Sequence, residues 1–332
     1  MKDTPVATFL MTAYNSAAYI HESIASVLGQ DEKDFVFIII DDASIDTTPE
    51  IIASFKDPRI KYIRNKKNLH IALAANAGLR LVNTKYVLRI DSDDICLPKR
   101  LSTQLQFMES HPEIDVCGSS IEFFDNEKGT WKMPLTDAAI KARMLWDNVI
   151  ANSSVIVRME TLKSHHLEYT SKFQFPPFED YELWIKMLPF ARFHNLNQIL
   201  VRKREYAESQ SELHNKKANE QLENFYKWVF VFFNFTASEN ETTFHILDKK
   251  PDIKITIELL VNYKAWLIKL LTHFSSNPIF EKKELNRVVE RKWKTIGNQI
   301  PLKDVFMLNK YLSLSKGFAD DNALAMLKRR IK

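Results

Sequence analysis

The 332-residue chain predicts an α/β fold: a mainly parallel sheet flanked by helices, with a helical C-terminal region. Three observations predict it. Short apolar runs alternate with helical patterns across residues 6–108, the rhythm of successive βα units. The run FVFIII at 35–40 is continuously apolar and rich in β-branched residues, as a strand buried on both faces requires. After about residue 213, turn signals become sparse and aromatics such as Phe225, Trp228 and Phe232 join long helical periods.

Residues 6–11 (VATFLM) form the first expected strand. Ser16 is placed to cap the following helix, whose Tyr19, Ile20, Ile24, Val27 and Leu28 recur at helical spacing. The strand 35–40 stops at Asp41-Asp42-Ala43-Ser44. Asp46 then reads as an N-cap, with Pro49 in the first turn and Ile51, Ile52 and Phe55 on the inner side. Residues 59–64 alternate as a third strand, 71–82 read as a helix, and 86–90 as a fourth strand ending at Asp91. Pro98 opens a helix carrying Leu101, Leu105 and Met108. Further on, strands are expected at 155–158 and 198–202. A helix begins at Glu179, with Tyr181, Trp184, Ile185 and Leu188 facing inward. The expected division is a catalytic domain over 1–212 and a helical region over 213–332.

Composition limits the chemistry. The six glycines, at 29, 78, 118, 129, 297 and 317, are never closer than eleven residues. No glycine-rich dinucleotide fingerprint, P-loop or nucleophile elbow can therefore exist. Net charge is +4, unevenly spread: residues 213–332 hold 21 Lys and Arg against 13 Asp and Glu, leaving the front part acidic. The aromatic-aliphatic run Trp228–Phe233, which no other such run exceeds, falls short of the ~20 residues of a membrane span. The start MKDTPVATFLMTAYN lacks a signal-peptide pattern. Cys96 and Cys117 read as inert thiols of a reduced, cytoplasmic protein.

Two acidic clusters, Asp41-Asp42 and Asp91-Ser92-Asp93-Asp94, fall at carboxyl ends of expected strands, where α/β sheets bind ligands. Asp91 and Asp93 can turn toward one Mg²⁺ or Mn²⁺, an ion that takes a few carboxylates and completes its shell with water and phosphate. An EF-hand is excluded, because Ile95 and Cys96 occupy its fifth and sixth positions. Turn chemistry alone explains an isolated D-x-D, and Glu179-Asp180 also suits a plain helix N-terminus. Three acidic clusters in this order carry more weight than any one.

The blocks MTAYNSAAYIHESIASVLGQ (11–30), IIIDDASIDTTPEII (38–52), NLHIALAANAGL (68–79), YVLRIDSDDICLPKRL (86–101) and FEDYELWIKML (178–188) resemble the family 2 glycosyltransferases of GT-A fold. The resemblance covers roughly residues 5–212. It implies inverting transfer from a nucleotide-diphosphate sugar, with a divalent metal, to a hydroxyl of a glycan or lipid-linked saccharide, in surface polysaccharide synthesis. It implies that Thr12, Ala13 and Tyr14 line the nucleobase site and that Asp42 bonds the base. Asp91 and Ser92 would lie near the ribose or sugar, Asp93 with Asp91 would ligate the metal, and Asp180, beside Glu179, would be the base. Arg204 matches an arginine expected near the diphosphate.

Three positions depart from the family pattern. His70 replaces the glycine of N-x-G, Asn152-Ser153 stand where relatives carry His-Pro, and Tyr206 replaces a histidine after Arg204. The physical logic agrees with the implied roles. An acceptor hydroxyl must lose its proton to a carboxylate as it attacks, a cation stabilises the leaving diphosphate, and carboxylates suit an oxocarbenium-like transition state. Competing readings are a degenerate sugar-nucleotide or glycan-binding module and a sugar nucleotidyltransferase, which lacks its glycine-rich loop here. Nucleic acid is not an expected partner. The basic C-terminal region is expected to pack helices, form a dimer or touch the inner face of a membrane.

Overall fold

The computed structural model describes residues 5–126, 128–170, 178–205, 210–249, 254–301 and 303–316, with side chains for all of these except 210–220. Tyr206 lies outside the described residues. Two compact units are distinguished. The first comprises Met1–Ile140 and Asn148–Ala218, the second Lys141–Asp147 and Asn219–Lys332. A short segment from the middle of the chain, Lys141–Asp147, belongs to the second unit.

The first unit is built on one mixed sheet. Strands β1 (Ala7–Ala13), β2 (Phe35–Asp41), β3 (Ile60–Arg64) and β4 (Tyr86–Asp91) run parallel in the order β3-β2-β1-β4. The sheet continues through β8 (Ile156–Arg158), β6 (Val116–Asp125) and β9 (Phe193–Glu205) to the two-residue β5 (Ile95–Cys96), with β7 (Gly129–Trp131) paired to β6. Every residue of β1 is buried, because helices cover both faces of a parallel sheet. Phe9 meets Phe35 and Phe37 edge-on at 5.3 and 6.3 Å, a favoured aromatic geometry.

Helix α1 (Ile20–Leu28) buries Ile20, Ile24 and Val27 as its spacing predicts. Its start differs from the expectation. The Ser16 hydroxyl makes no cap; its carbonyl accepts from the Tyr19 and Ile20 N–H groups, and its side chain turns to Ser92. Asp46 stands one residue ahead of the N-cap of α2 (Thr48–Ser54), yet its carboxylate accepts from the N–H of Thr48 and of Ala17. Helix α3 (His70–Leu79) ends earlier than expected, tightening into i→i+3 turns at Leu81 and Val82. In α4 (Arg100–Ser110), Gln104 is buried with Leu101 and Met108 while Leu105 is only partly covered. The Gln104 amide donates to Ser154 and Cys117 carbonyls at 2.8 and 3.1 Å. That pairing makes a polar core position tolerable.

Strand β6 is a ten-residue element that periodicity does not announce, since Gly118, Ser119 and Ser120 interrupt its apolar pattern. The strand passes close to Asn195 of β9: a Cβ at Gly118 would lie 2.2 Å from the Asn195 Oδ1. Helices α5 (Asp137–Met144), α6 (Met159–Ser164) and α7 (Glu179–Met187) complete the covering layers, α5 running from the first unit into the second.

The second unit is helical: the end of α8 (Gln210–Phe232), then α9 (Glu239–His245), α10 (Ile257–Phe274), α11 (Lys282–Asn298) and α12 (Val305–Ser315). Side-chain oxygens of Ser238, Thr256 and Asp304 cap three of these helices, Ser238 in a full capping box with Glu241. Trp293 stacks between Tyr263 and Tyr311 and donates to the Ser315 hydroxyl at 2.7 Å. Buried Lys292 bridges Asp248 at 2.7 Å and Asp147 at 3.1 Å, which ties segment 141–147 into this unit. Among the described residues no helix is long and apolar enough to cross a membrane.

Candidate active site

The register of the parallel strands assembles the site. Thr12 lies beside Asp91, and Ala13 beside Asp41; the Asp42 N–H donates to the Ala13 carbonyl at 2.8 Å. Carboxyl ends of β1, β2 and β4 therefore present Thr12, Ala13, Asp42 and Asp91 along one edge. Thr12 and Ala13 are buried, whereas Tyr14 is 44% exposed.

The two aspartates at the end of β2 have different work. Asp41 closes its own turn, accepting from Ser44 N–H at 2.9 Å and Tyr62 hydroxyl at 3.0 Å, with Arg64 at 3.2 Å. Asp42 instead holds the loop before α3, accepting from the Asn65 amide at 2.7 Å and the Leu69 N–H at 2.9 Å. The next residue, His70, has φ +64°. Its backbone is left-handed, the conformation glycine adopts freely and other L-residues adopt at a cost of about 1–2 kcal/mol.

The D-x-D turn is held from behind. Ser92 shares a 2.8 Å hydrogen bond with Ser16, and the Asp91 N–H donates to Ser153 at 3.2 Å. Arg204 fixes the turn's far side. Its Nε donates to the Asp93 carbonyl at 3.0 Å, and its two terminal nitrogens reach Asp125 and Glu22, both at 2.5 Å. Its guanidinium also covers the rings of Phe124 and Tyr19. All three of its nitrogens are thus engaged by the protein itself, and its backbone N–H donates to Asp94 at 3.0 Å.

Helix α7 opens with the other acidic pair, both buried. Burial pushes the Asp180 carboxyl up to about 7. The hydrogen bonds from the Asn148 amide at 3.0 Å and the Tyr181 N–H at 2.7 Å oppose that rise, and the charge of Asp91 adds to it. Burial, Asp180 and Asp91 push Glu179 well above its usual range. The D-x-D and the E-D pair therefore lie within electrostatic reach of each other, although about 90 residues separate them. Asp94, fully buried, is raised to about 8 by burial and by Asp93. Lys203 answers it: burial works against its ammonium, but Asp94, Glu205, Asp93 and Asp91 hold it charged.

Several residues of this constellation carry no motif. Arg89 is 1% exposed inside β4, donates to the Leu10 carbonyl at 3.1 Å and lies 3.7 Å from Asp91. An arginine inside an apolar strand is an anomaly that points toward a buried acidic partner. Tyr169 sits 5.6 Å under that guanidinium, exchanges two 2.8 Å hydrogen bonds with the Asn76 side chain, and donates to Asn152 at 3.1 Å. Asn152, one of the departures from the family pattern noted in the sequence, thus anchors the tyrosine.

The donor set suits a divalent cation. Asp91 Oδ1 and Glu179 Oε2 are buried oxygens with no hydrogen-bond partner, and carboxylates that raise one another's pKa gain by a nearby positive charge. No three candidate ligands among the described residues form a complete cage. Mg²⁺ and Mn²⁺ sites of the phosphate-binding kind draw their remaining ligands from water and substrate.

Comparison with known proteins agrees with this architecture. The family model described as "Glycosyl transferase family 2" matches residues 8–167. An uncharacterized glycosyltransferase of Haemophilus influenzae is 31% identical over 233 residues, covering 66% of this chain and 72% of that protein. The chain belongs to glycosyltransferase family 2. This glycosyltransferase is also 31% identical to the putative glycosyltransferase EpsE of Bacillus subtilis, over 62% of its own length and 75% of that relative. Solved structures share its GT-A fold. S. aureus TarS (1–349) in complex with UDP aligns with TM-score 0.57 at 17% identity, over 94% of this chain and 90% of that one. The mannosyltransferase PcManGT from Pyrobaculum calidifontis, in complex with GDP-Man and Mn²⁺, aligns with TM-score 0.55 at 13% identity, covering 95% and 87%.

Proposed function

We propose that this glycosyltransferase moves a sugar, with inversion and with Mn²⁺ or Mg²⁺, from a nucleotide-diphosphate donor to a hydroxyl of a glycan or lipid-linked saccharide, in surface polysaccharide synthesis. The carrying observation is Asp180, a buried carboxyl raised to about 7 and fixed by Asn148, within reach of the charge of Asp91. A group titrating near neutrality is matched to general-base work. The acceptor hydroxyl gives its proton to Asp180 while its oxygen bonds to the anomeric carbon. The bond from that carbon to the diphosphate oxygen breaks on the opposite face. Glu179 stands beside Asp180, its carboxyl also pushed up by burial and by that neighbour's charge.

Thr12, Ala13, Tyr14 and Asp42 would receive the nucleoside, and Asp91 with Ser92 the ribose and sugar. Asp93, helped by Asp91, would hold the metal, which when bound neutralises charge on the departing diphosphate. Arg204 serves by bracing the D-x-D turn, since its nitrogens are already engaged. A lipid-linked acceptor is supported by a relative from Escherichia coli, 30% identical over 55% of this chain, whose name gives UDP-Glc as donor and a diphosphoundecaprenol-linked acceptor. We place the enzyme in the cytoplasm, its basic C-terminal region serving as a dimer or membrane-surface contact.

The test is hydrolysis or transfer from UDP-, GDP- and dTDP-sugars with Mn²⁺ supplied or chelated, in wild type and Asp180→Asn. Turnover in wild type that disappears on chelation and in the variant, with an inverted anomeric product, is the expected result. Turnover unchanged in Asp180→Asn removes the base assignment, and indifference to chelation removes the metal.

A further inference from the structure

We infer that His70 is a donor-specificity residue whose imidazole contacts the nucleoside part of the nucleotide sugar. This rests on the proposed donor class. Among the described residues, six non-glycine positions have positive φ, and three of them stand around the carboxyl ends of β1 and β2: Asn15 at 50°, Ala43 at 63° and His70 at 64°. Such conformations concentrate at functional sites, where surrounding structure enforces them.

The first two have local reasons. Asparagine tolerates the left-handed region, and the Asn15 side chain accepts from the Ile45 N–H at 2.9 Å. Ala43 is the middle of the turn that Asp41 closes on Ser44. His70 has no such reason for its side chain. Its backbone N–H donates to Asn68 at 2.8 Å, a contact glycine would make equally well and without strain. The imidazole is exposed and has no hydrogen-bond or ring partner among the described residues, so packing does not explain it.

Its location does. The preceding residue, Leu69, gives its N–H to both oxygens of Asp42, at 2.9 and 3.0 Å. Asp42 is the carboxylate expected to face the base, so the imidazole is held one residue from the nucleoside end of the cleft. A flat aromatic ring with two polar nitrogens can stack on a base or bond its edge. In a chain with only six glycines, a side chain kept at a glycine-type position is the feature that needs a function.

The experiment separates strain from contact. The tightest binder among UDP, GDP and dTDP is identified by calorimetry with Mn²⁺, and its monophosphate is measured alongside. His70→Gly removes both strain and ring; His70→Ala removes the ring and keeps the strain. Both variants are expected to bind the mono- and the diphosphate about tenfold more weakly. Only His70→Gly is expected to melt higher without ligand, by about 2–4 °C. Wild-type affinity in His70→Ala overturns the inference, as does a loss confined to the diphosphate. Failure of wild type to bind any of the three nucleotides defeats the donor reading itself, a result distinct from either.

Discussion

If Asp180 is the base, as proposed, burial of its carboxyl, which pushes it up to about 7, sets the acid limb of the rate profile. Only the ionised carboxylate can take a proton from the acceptor, so kcat/KM follows its charged fraction. With the carboxyl at about 7, that fraction falls from about nine-tenths at pH 8 to about one-tenth at pH 6. The expected loss is therefore about tenfold, where an aspartate at its ordinary 3.8 would lose almost nothing. Asn148 provides the perturbation. Its amide donates to Asp180 at 3.0 Å and favours the charged form against burial. A hydrogen bond to a charged group is worth about 1.5 kcal/mol or more, so Asn148→Ala raises the carboxyl by about one unit.

The assay is release of nucleoside diphosphate from pH 5.5 to 9.5 in wild type and Asn148→Ala. At pH 7 the variant is expected to be about fivefold slower, recovering toward the wild-type rate at alkaline pH. A profile flat from pH 6 to 8, or an Asn148→Ala defect equal at every pH, refutes the reasoning. The sign of the linked stability effect is opposite to that of activity. The folded-state pKa lies above the unfolded one, so the native protein binds the extra proton between them, and stability declines as pH rises through that window. Asp180→Asn, expected to be inactive, is accordingly also expected to melt higher than wild type at pH 8, by a free energy of at most about 4 kcal/mol.

Three further tests address other parts of the molecule. Mn²⁺ with a nucleoside diphosphate is expected to raise the wild-type melting temperature, and the Asp91→Asn/Asp93→Asn double variant is expected to lose the Mn²⁺-dependent part of that rise. Gly297→Ala would bring a Cβ to 2.3 Å from the Tyr311 ring, in the stack that closes the second unit; calorimetry is expected to show a loss of about 1–3 kcal/mol. His245 is buried with its pKa pushed down to about 3 by desolvation, and its Nε2–H donates to the Leu145 carbonyl at 2.8 Å. Its folded value lies below its unfolded one, so stability is full above about pH 6.5 and falls by about 1.4 kcal/mol per unit below it. The helical unit is expected to lose structure first on acidification, and His245→Gln, which keeps a donor, to flatten that dependence.

The parallel half of the sheet was legible because each strand there is a separate apolar run with a polar turn behind it. Strands β1 to β4 sit within a residue or two of 6–11, 35–40, 59–64 and 86–90. The second half was less so, for a physical reason. In β6 the residues Gly118, Ser119 and Ser120 are buried by close approach to β9 and Ser154 rather than by their own hydrophobicity. No single-sequence pattern encodes a partner strand some 75 residues away. The acidic motifs were legible because they are contiguous. Their supports were not: Arg89, Asn148, Tyr169 and Lys203 come from separate elements, and only the fold brings them to Asp91, Asp180 and Asp94. Ser16 misled because a serine three residues beyond a strand end suits both a cap and a loop contact, and here Ser92 claims its hydroxyl.

The supporting shell also explains how a site so acidic stays folded. Asp91, Asp94, Glu179 and Asp180 share a region in which burial and mutual repulsion raise three of the four carboxyls. Buried like charges destabilise unless protonated or compensated. Compensation comes from two cations, Arg89 at 3.7 Å from Asp91 and Lys203 within the electrostatic reach of Asp94. Neither reaches the E-D pair with a hydrogen bond, so Glu179 and Asp180 keep elevated values, which a general base requires. Were Arg89 close enough to pair with Asp180, the helix would be more stable and the carboxyl would titrate as an ordinary acid. On the proposed assignment the separation between the two motifs matters: burial holds the Asp180 carboxyl up, the charge of Asp91 adds to it, and no ion pair with Arg89 draws it back down.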